Sequence, residues 1–219
     1  MTDTVIVSGG MIQKDFALDF LKKLQKENKD QKLQLVAADR GLDFFRETGL
    51  VPDLADGDFD SVSPEVLDYY KKQDIELKQV PCRKDETDME LGINHAVELG
   101  ADDITLIGGI GSRLDHTLAN IFQLIKLEKL GIKARIVNER NNITLCTGKA
   151  EIYGKKGDLV SFIPITDVVT GVYTKGLEYP LENAVMHMDS PMGVSNVMEG
   201  DYAEYSFKSG MALIIKAKD

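Results

Sequence analysis

The stretch ITLIGGIGSRLDHTLANIFQLIKLEKL, residues 104–130, decides how the first part of the chain folds. It opens with a short apolar run, continues through a loop rich in glycine, and ends in a segment with apolar residues at helical spacing, such as Leu118 and Ile121. A buried strand, a loop and an amphipathic helix are therefore predicted in that order.

The same succession repeats from the start of the chain to about residue 140. Strands are predicted at 4–8, 33–38, 75–80, 104–108 and 133–137. Helices are predicted at 14–28, 63–72, 87–99 and 113–130. Strands that alternate with helices indicate a mostly parallel sheet with helices on its faces. The expected fold of this part is α/β and Rossmann-like.

The pattern changes after about residue 142. Short runs such as DLVSFIPI (158–165) and ALIIKA (212–217) are separated by Gly, Pro, Asn and Asp, and no convincing helical stretch remains. An antiparallel sheet or a small β-sandwich is predicted. We therefore expect two domains, an α/β domain over 1–142 and a β-rich domain over 143–219.

The composition narrows the class of function. The chain has 219 residues and a net charge of −10, which argues against a general binder of nucleic acid or of membrane surfaces, since both are anionic. Two cysteines, Cys82 and Cys146, are too few for a disulfide framework. The first ten residues do not resemble a signal peptide, and no run approaches the length of a membrane span. A cytoplasmic protein is expected.

The unusual residues of the first part fall together in the predicted fold. They are SGG (8–10), ADRG (38–41), DGDFDS (56–61), KDETD (84–88), GGIGSRLD (108–115) and NERNN (138–142). We interpret all six as lying just beyond the carboxyl ends of predicted strands. Ligands of open α/β sheets bind along that edge, so a binding site is predicted there.

The aspartates of DLADGDFDSV (53–62) repel one another and favour neither helix nor strand. A calcium loop of the EF-hand type is excluded, because Ser61 and Leu67 stand where Gly and Glu are needed. A solvated acidic turn that caps the next helix is one interpretation, supported by Ser63-Pro64. The other, which the remaining motifs favour, is a magnesium site that includes Asp58 and Asp60.

Two further motifs have a structural and a functional interpretation. In KDETDME (84–90), Thr87 and Glu90 form a capping box, whereas Asp88 either complements the helix dipole or is a third magnesium ligand. GGIGSRLD is either a tight turn with a surface arginine or a phosphate cradle at a helix N-terminus, to which Arg113 adds a positive fork.

Taken together, these motifs resemble one known family. The segments ADRG, PDLADGDFDS, KDETDMELGINHA and GGIGSRLDHTLANI, in this order and spacing, are similar to thiamine pyrophosphokinase (thiamine diphosphokinase) of the bacterial type. GLEYPLENA (176–184) and GVSN (193–196) look like the second domain of that family. The resemblance covers nearly the whole chain.

The resemblance implies transfer of a pyrophosphoryl group from ATP to the hydroxyl of thiamine, which gives thiamine diphosphate and AMP. It also implies a homodimer with active sites between the subunits. Asp58, Asp60 and Asp88 match the catalytic and magnesium site of the family. The ATP-binding positions match Asp39, Lys84, Gly108, Gly109, Gly111, Arg113 and Asp115. Ser195 and Asn196 match a pair near the thiamine site, although Val197 replaces the acidic residue that often follows it.

Two other functions use the same residues. A related enzyme would transfer the pyrophosphoryl group to another hydroxymethyl heterocycle, such as a pterin, and a substrate panel separates it from a thiamine enzyme. A nucleotide or thiamine sensor of the same fold would bind its ligand without turnover. The intact set of Asp58, Asp60 and Asp88 favours the enzyme.

Overall fold

A computed structural model describes residues 2–27, 32–73, 75–81 and 85–218. The chain divides into two compact units, Met1–Glu139 and Arg140–Asp219. The expected domain boundary, after residue 142, lies three residues further along the chain. No helix in the described part is long and apolar enough to span a membrane.

Six strands in the described part of the first unit form a sheet in the order β6-β5-β1-β2-β3-β4. Its strands are β1 (Thr2–Ser8), β2 (Lys32–Ala38), β3 (Leu54–Gly57), β4 (Glu76–Gln79), β5 (Asp103–Ile107) and β6 (Lys133–Val137). All neighbouring strands of this sheet are parallel, as predicted. Strands β2, β3 and β4 follow one another on one side of β1, whereas β5 and β6 lie on its other side, so the strand order reverses between β1 and β5. A ligand cleft is expected at such a switch point.

Among the described residues, five helices accompany this sheet: α1 (Lys14–Glu27), α2 (Gly41–Thr48), α3 (Pro64–Tyr70), α4 (Asp88–Glu98) and α5 (Leu114–Lys129). Both predicted N-caps are confirmed. The hydroxyl of Ser63 accepts a hydrogen bond from the Val66 N–H, and that of Thr87 accepts one from the Glu90 N–H. These caps satisfy backbone donors that have no partner within the helix.

Two elements of the first unit were not predicted. The sequence 54–57 is a strand, so the expectation that the aspartate-rich stretch favours neither helix nor strand is wrong there. Asp56 lies inside this strand with no exposed surface, and its carboxylate is bonded to His95. Helix α2 begins at Gly41, the last residue of the ADRG motif, and is capped at its C-terminus by Gly49, whose φ of 71° suits glycine.

The second unit consists of antiparallel strands, as predicted. One sheet has the order β12-β9-β14-β7 and the other β11-β10-β13-β8. The strands are β7 (Asn141–Cys146), β8 (Lys149–Tyr153), β9 (Leu159–Pro164), β10 (Val168–Lys175), β11 (Ala184–His187), β12 (Asn196–Val197), β13 (Tyr202–Ser206) and β14 (Ala212–Ala217). Apolar side chains from both sheets, including Phe162 and Tyr205, form one core, so the sandwich prediction is confirmed.

Candidate active site

A cavity of about 520 Å³ lies in the first unit, at the carboxyl ends of β1, β2 and β5. Its wall is made of the SGG, ADRG and GGIGSRLD motifs, the start of α4 and parts of α5. The lining residues are Ser8, Gly9, Gly10, Met11, Ala38, Asp39, Arg40, Ser61, Thr87, Asp88, Met89, Gly108, Gly109, Gly111, Ser112, Arg113, His116 and Asn120. The predicted edge of the sheet therefore carries the cavity, but the NERNN motif is not part of its wall.

Three carboxylates meet beside this cavity. Oxygen atoms of Asp39, Asp58 and Asp60 all lie within 4.8 Å of one another. Asp88, the third predicted metal ligand, lines the same cavity but does not belong to this group. Its charge nevertheless acts on the group, because it adds to the effect of burial in raising the pKa of Asp39. The structure thus brings Asp39, expected only among ATP-binding positions, into the acidic cluster.

Asp39 is held in an unusual position. Its side chain is largely buried, with 9% of the residue exposed, and its φ of 45° is rare for a residue other than glycine. The backbone N–H donates to the carbonyl of Asp56 at 2.7 Å. Burial and then the charge of Asp88 raise the pKa of the Asp39 carboxyl. Among the described residues, Oδ1 has no hydrogen-bond partner. Such a buried oxygen is suited to bind a cation.

Phe59 explains how the two neighbouring aspartates reach the same group. Its ring belongs to the apolar core of the first unit and is 5% exposed, whereas Asp58 and Asp60 lie on either side of it in the chain. Phe59 has a φ of 58°, a strained conformation for an aromatic residue. The backbone N–H of Asp60 donates to Asp58 Oδ1 at 3.1 Å. The buried ring of Phe59 therefore holds the loop that carries Asp58 and Asp60 against the core.

Bare backbone forms one wall of the cavity. A Cβ atom added to Gly10 would lie 2.0 Å from the carbonyl oxygen of Gly108, and one added to Gly108 would lie 2.4 Å from that of Ser8. Neither position accepts a side chain without displacing backbone. Gly108 also has a φ of 75°. Glycine at both positions lets the loops after β1 and β5 pass each other closely, as a phosphate cradle requires.

Helix α5 braces the glycine-rich loop. Asn120 is buried, and its Nδ2 donates to the Gly109 carbonyl at 2.8 Å. The Gly111 N–H donates to the Thr117 hydroxyl at 3.2 Å. Asn120 was not among the predicted site residues. Its position in DHTLAN, two turns into a helix that follows a glycine loop, does not by itself distinguish it from a polar surface residue.

The predicted cation of this loop is already paired. Arg113 donates to Asp115 from Nη2 at 2.7 Å and from Nε at 3.3 Å, and both side chains are exposed. Hydrogen bonding to Arg113 lowers the pKa of Asp115 to about 2. Arg113 lines the cavity, whereas Asp115 is not part of its wall. Arg40, which was not predicted, is a second guanidinium at the wall. Lys84 lies outside the described residues.

The predicted substrate pair lies in the second unit. Asn196 is buried, and its side-chain amide is bonded to Tyr179, accepting from the N–H at 3.1 Å and donating to the carbonyl at 2.8 Å. These bonds tie β12 to the segment that carries Tyr179. Ser195 is exposed, and its backbone N–H donates to the Ser161 hydroxyl at 2.9 Å. Of the two, Ser195 has the more accessible side chain.

Both units match the family models of one enzyme. Residues 24–136 match the model described as thiamin pyrophosphokinase, catalytic domain. Residues 146–212 match the model described as thiamin pyrophosphokinase, vitamin B1 binding domain.

Curated relatives and solved structures agree with the two family models. Thiamine pyrophosphokinase of Bacillus subtilis is 30% identical over 192 residues, which cover 87% of this chain and 90% of the relative. A crystal structure of the Bacillus subtilis enzyme superposes with a TM-score of 0.85 at 27% identity, covering 99% of each chain. That of thiamin pyrophosphokinase from Geobacillus thermodenitrificans gives 0.84 at 29% identity, covering 99% of this chain and 98% of the other. The chain therefore belongs to the thiamine pyrophosphokinase family of ATP-dependent diphosphotransferases.

Proposed function

We propose that the reaction of this enzyme takes place in the cavity of the first unit. There the terminal diphosphoryl group of ATP is transferred to the hydroxyl of thiamine, so that thiamine diphosphate and AMP are formed. The membership of the chain in the family supports this reaction. The structural observation that best supports this reaction is the acidic cluster. Carboxylate oxygens of Asp39, Asp58 and Asp60 lie within 4.8 Å of one another, beside a cavity wall made of bare backbone. Carboxylates and a phosphate cradle are the two parts that metal-assisted phosphoryl transfer requires.

The acidic cluster fits Mg²⁺. This ion prefers oxygen ligands, and proteins bind it through one or two carboxylates together with water and substrate phosphates. Asp39, Asp58 and Asp60 would hold it, with Asp88 facing the same cavity. The buried Asp39 Oδ1, which has no hydrogen-bond partner among the described residues, supports this assignment. Bound Mg²⁺ would neutralise charge on the phosphate oxygens during transfer.

The glycine-rich loop would bind the phosphates of ATP. Gly108, Gly109 and Gly111 line the cavity, and the N-terminus of α5 follows them, where the helix dipole favours an anion. Arg113 holds the Asp115 carboxylate in a bidentate geometry that phosphate oxygens also offer. We therefore expect a bound triphosphate to compete with Asp115 for Arg113.

In the proposed step, the hydroxyl oxygen of thiamine forms a bond to the β-phosphorus of ATP. The bond between that phosphorus and the oxygen bridging to the α-phosphorus breaks, and its electron pair leaves with AMP. The hydroxyl proton passes to a carboxylate of the cluster or to water. Arg113 and Arg40, which line the cavity, would offset the charge that develops on the leaving group.

The assignment of the thiamine site and of the assembly depends on the family. We propose that Ser195, with its exposed side chain, contacts thiamine and that Asn196 holds the surrounding segment through its bonds to Tyr179. We also propose a cytoplasmic homodimer in which the second unit of one subunit completes the site of the other. Light scattering of the purified protein measures the assembly directly.

AMP release from ATP, measured with Mg²⁺ in the presence and absence of thiamine, tests the proposed reaction. We expect AMP to appear only with thiamine and in equal amount to thiamine diphosphate. A hydroxymethyl pterin in place of thiamine is the matched control and should give no AMP. AMP release with the pterin but not with thiamine would show that thiamine is not the acceptor. Binding of thiamine without turnover would indicate a sensor.

A further inference from the structure

Asp56 is a carboxylate in the interior of a parallel sheet. It lies in β3 between β2 and β4, where it aligns with Ala38 on one side and Lys78 on the other, and it has no exposed surface. A charge in such a place is costly unless a polar partner compensates for the lost water. The identity of that partner therefore indicates what the buried carboxylate is for.

One such partner is His95 on helix α4. Its Nδ1 lies 2.9 Å from Asp56 Oδ2, and its side chain is 15% exposed. When Asp56 is ionised its carboxylate only accepts hydrogen bonds, and the bond then requires the His95 tautomer that carries its proton on Nδ1. Helix and strand are close here, since a Cβ atom added to Gly92 of the same helix would lie 3.7 Å from Asp56 Oδ1. The bond is thus a short tie between α4 and the sheet.

This tie joins the segments that carry the four acidic groups of the site. Asp56 precedes Asp58 by two residues, and its carbonyl accepts the hydrogen bond from the Asp39 N–H. His95 follows Asp88, the first residue of α4, by seven residues, or about two helical turns. Neither Asp56 nor His95 lines the cavity. The pair therefore acts on the site through other residues.

We propose that Asp56 and His95 are positioning residues, which fix Asp88 relative to Asp39, Asp58 and Asp60 and so set the affinity of the cluster for a divalent cation. The proposal rests on the proposed function, since it assigns a cation to these carboxylates. Partners that orient metal-binding side chains commonly change metal affinity or activity by about 10- to 100-fold when they are replaced.

Two substitutions of His95 separate positioning from mere stability. The amide nitrogen of His95→Asn stands where Nδ1 stood and still donates to Asp56, whereas that of His95→Gln lies further out, near the place of Nε2. We expect His95→Gln to weaken Mn²⁺ binding, followed without nucleotide by the electron paramagnetic resonance of the free ion, by about tenfold or more. His95→Asn should stay within about threefold of the parent.

The matched control is Lys126→Met. It removes the bonds from Lys126 Nζ to Glu90 and Asn94, which tie α4 to α5 rather than to β3. We expect it to lower the melting temperature without changing Mn²⁺ binding. Equal Mn²⁺ affinity of His95→Gln and the parent, or the same loss in Lys126→Met, would overturn the role of the pair. If the parent bound Mn²⁺ but formed no AMP, the proposed reaction would fail instead.

Discussion

The side-chain amide of Asn120 donates to the carbonyl of Gly109 at 2.8 Å, so the helix that follows the glycine-rich loop also holds the loop in shape. The carbonyl of Gly109 is thereby satisfied within the protein. We infer that the loop is set for its ligand before the ligand binds, which lowers the entropic cost of binding.

Replacement of Asn120 tests this arrangement. Asn120→Asp has nearly the same shape, but its carboxylate faces the Gly109 carbonyl without a proton to donate. We expect the KM for ATP to rise by about tenfold, because a buried acceptor is left unsatisfied. Initial rates at varied ATP measure it. Asn94→Asp is the control, since Asn94 accepts from Lys126 through Oδ1 and an aspartate keeps that bond; an equal rise in KM there would contradict the interpretation.

Asp58→Asn tests the carboxylate cluster. The substitution keeps the size of the side chain but removes one charge from the group with Asp39 and Asp60. We expect kcat/KM to fall by about three orders of magnitude, because cation-assisted charge stabilisation supplies several kcal/mol. Circular dichroism should show an intact fold. Asp68→Asn, an exposed residue of α3, should retain full activity; activity of Asp58→Asn within about threefold of the parent would refute the assignment.

Asp39→Asn should stabilise the metal-free protein at neutral pH while abolishing turnover. The folded-state pKa of Asp39 is raised above 3.8 by burial and by Asp88, so the folded protein binds the proton more tightly than the unfolded chain. The free energy of unfolding therefore falls as the pH rises from 3.8 through the raised pKa. Urea unfolding in the presence of a chelator measures it. The difference between variant and parent should shrink in acid; a variant less stable than the parent at pH 7 would contradict this.

Phe59→Ala should loosen the acidic loop as well as the core. The ring is buried in the core of the first unit, and its loss is expected to cost about 3–5 kcal/mol of unfolding free energy. The rise in melting temperature that Mg²⁺ produces should also become smaller, because Asp58 and Asp60 lose their anchor. Leu21→Ala empties another place in the same core, so it should lower stability and keep the response to Mg²⁺. A normal response in Phe59→Ala would show that the anchor is unnecessary.

The sequence predicted the parts of this fold that depend on interactions between residues close together in the chain. The strand, loop and helix of 104–130 and the caps at Ser63 and Thr87 follow from periodicity and from hydrogen bonds to near neighbours. Strand β3 was missed because Asp56 looks like a solvated charge in the sequence. Its partner His95 is 39 residues away, and spacing along the chain does not reveal a contact at that distance.

For a similar reason, the sequence predicts only part of the candidate site. The glycines and Asp58 and Asp60 stand in motifs whose chemistry is visible in the sequence. The place of Asp39 in the acidic cluster depends on the parallel pairing of β2 with β3 and on a left-handed backbone at Asp39 itself. Both are properties of the assembled sheet, so they appear only in three dimensions.

The close crossing of Gly10 and Gly108 limits how the site can change during evolution. Any other residue at either position would place Cβ within 2.4 Å of a carbonyl oxygen, so no single substitution adds a side chain to this wall without moving the backbone. A change in the shape of the cavity has to come from lining residues that carry a side chain, such as Met11, Arg40 and His116. The glycine wall, which we propose meets the phosphates, is thus the least mutable part of the cavity, and the lining side chains around it are where selection has room to act.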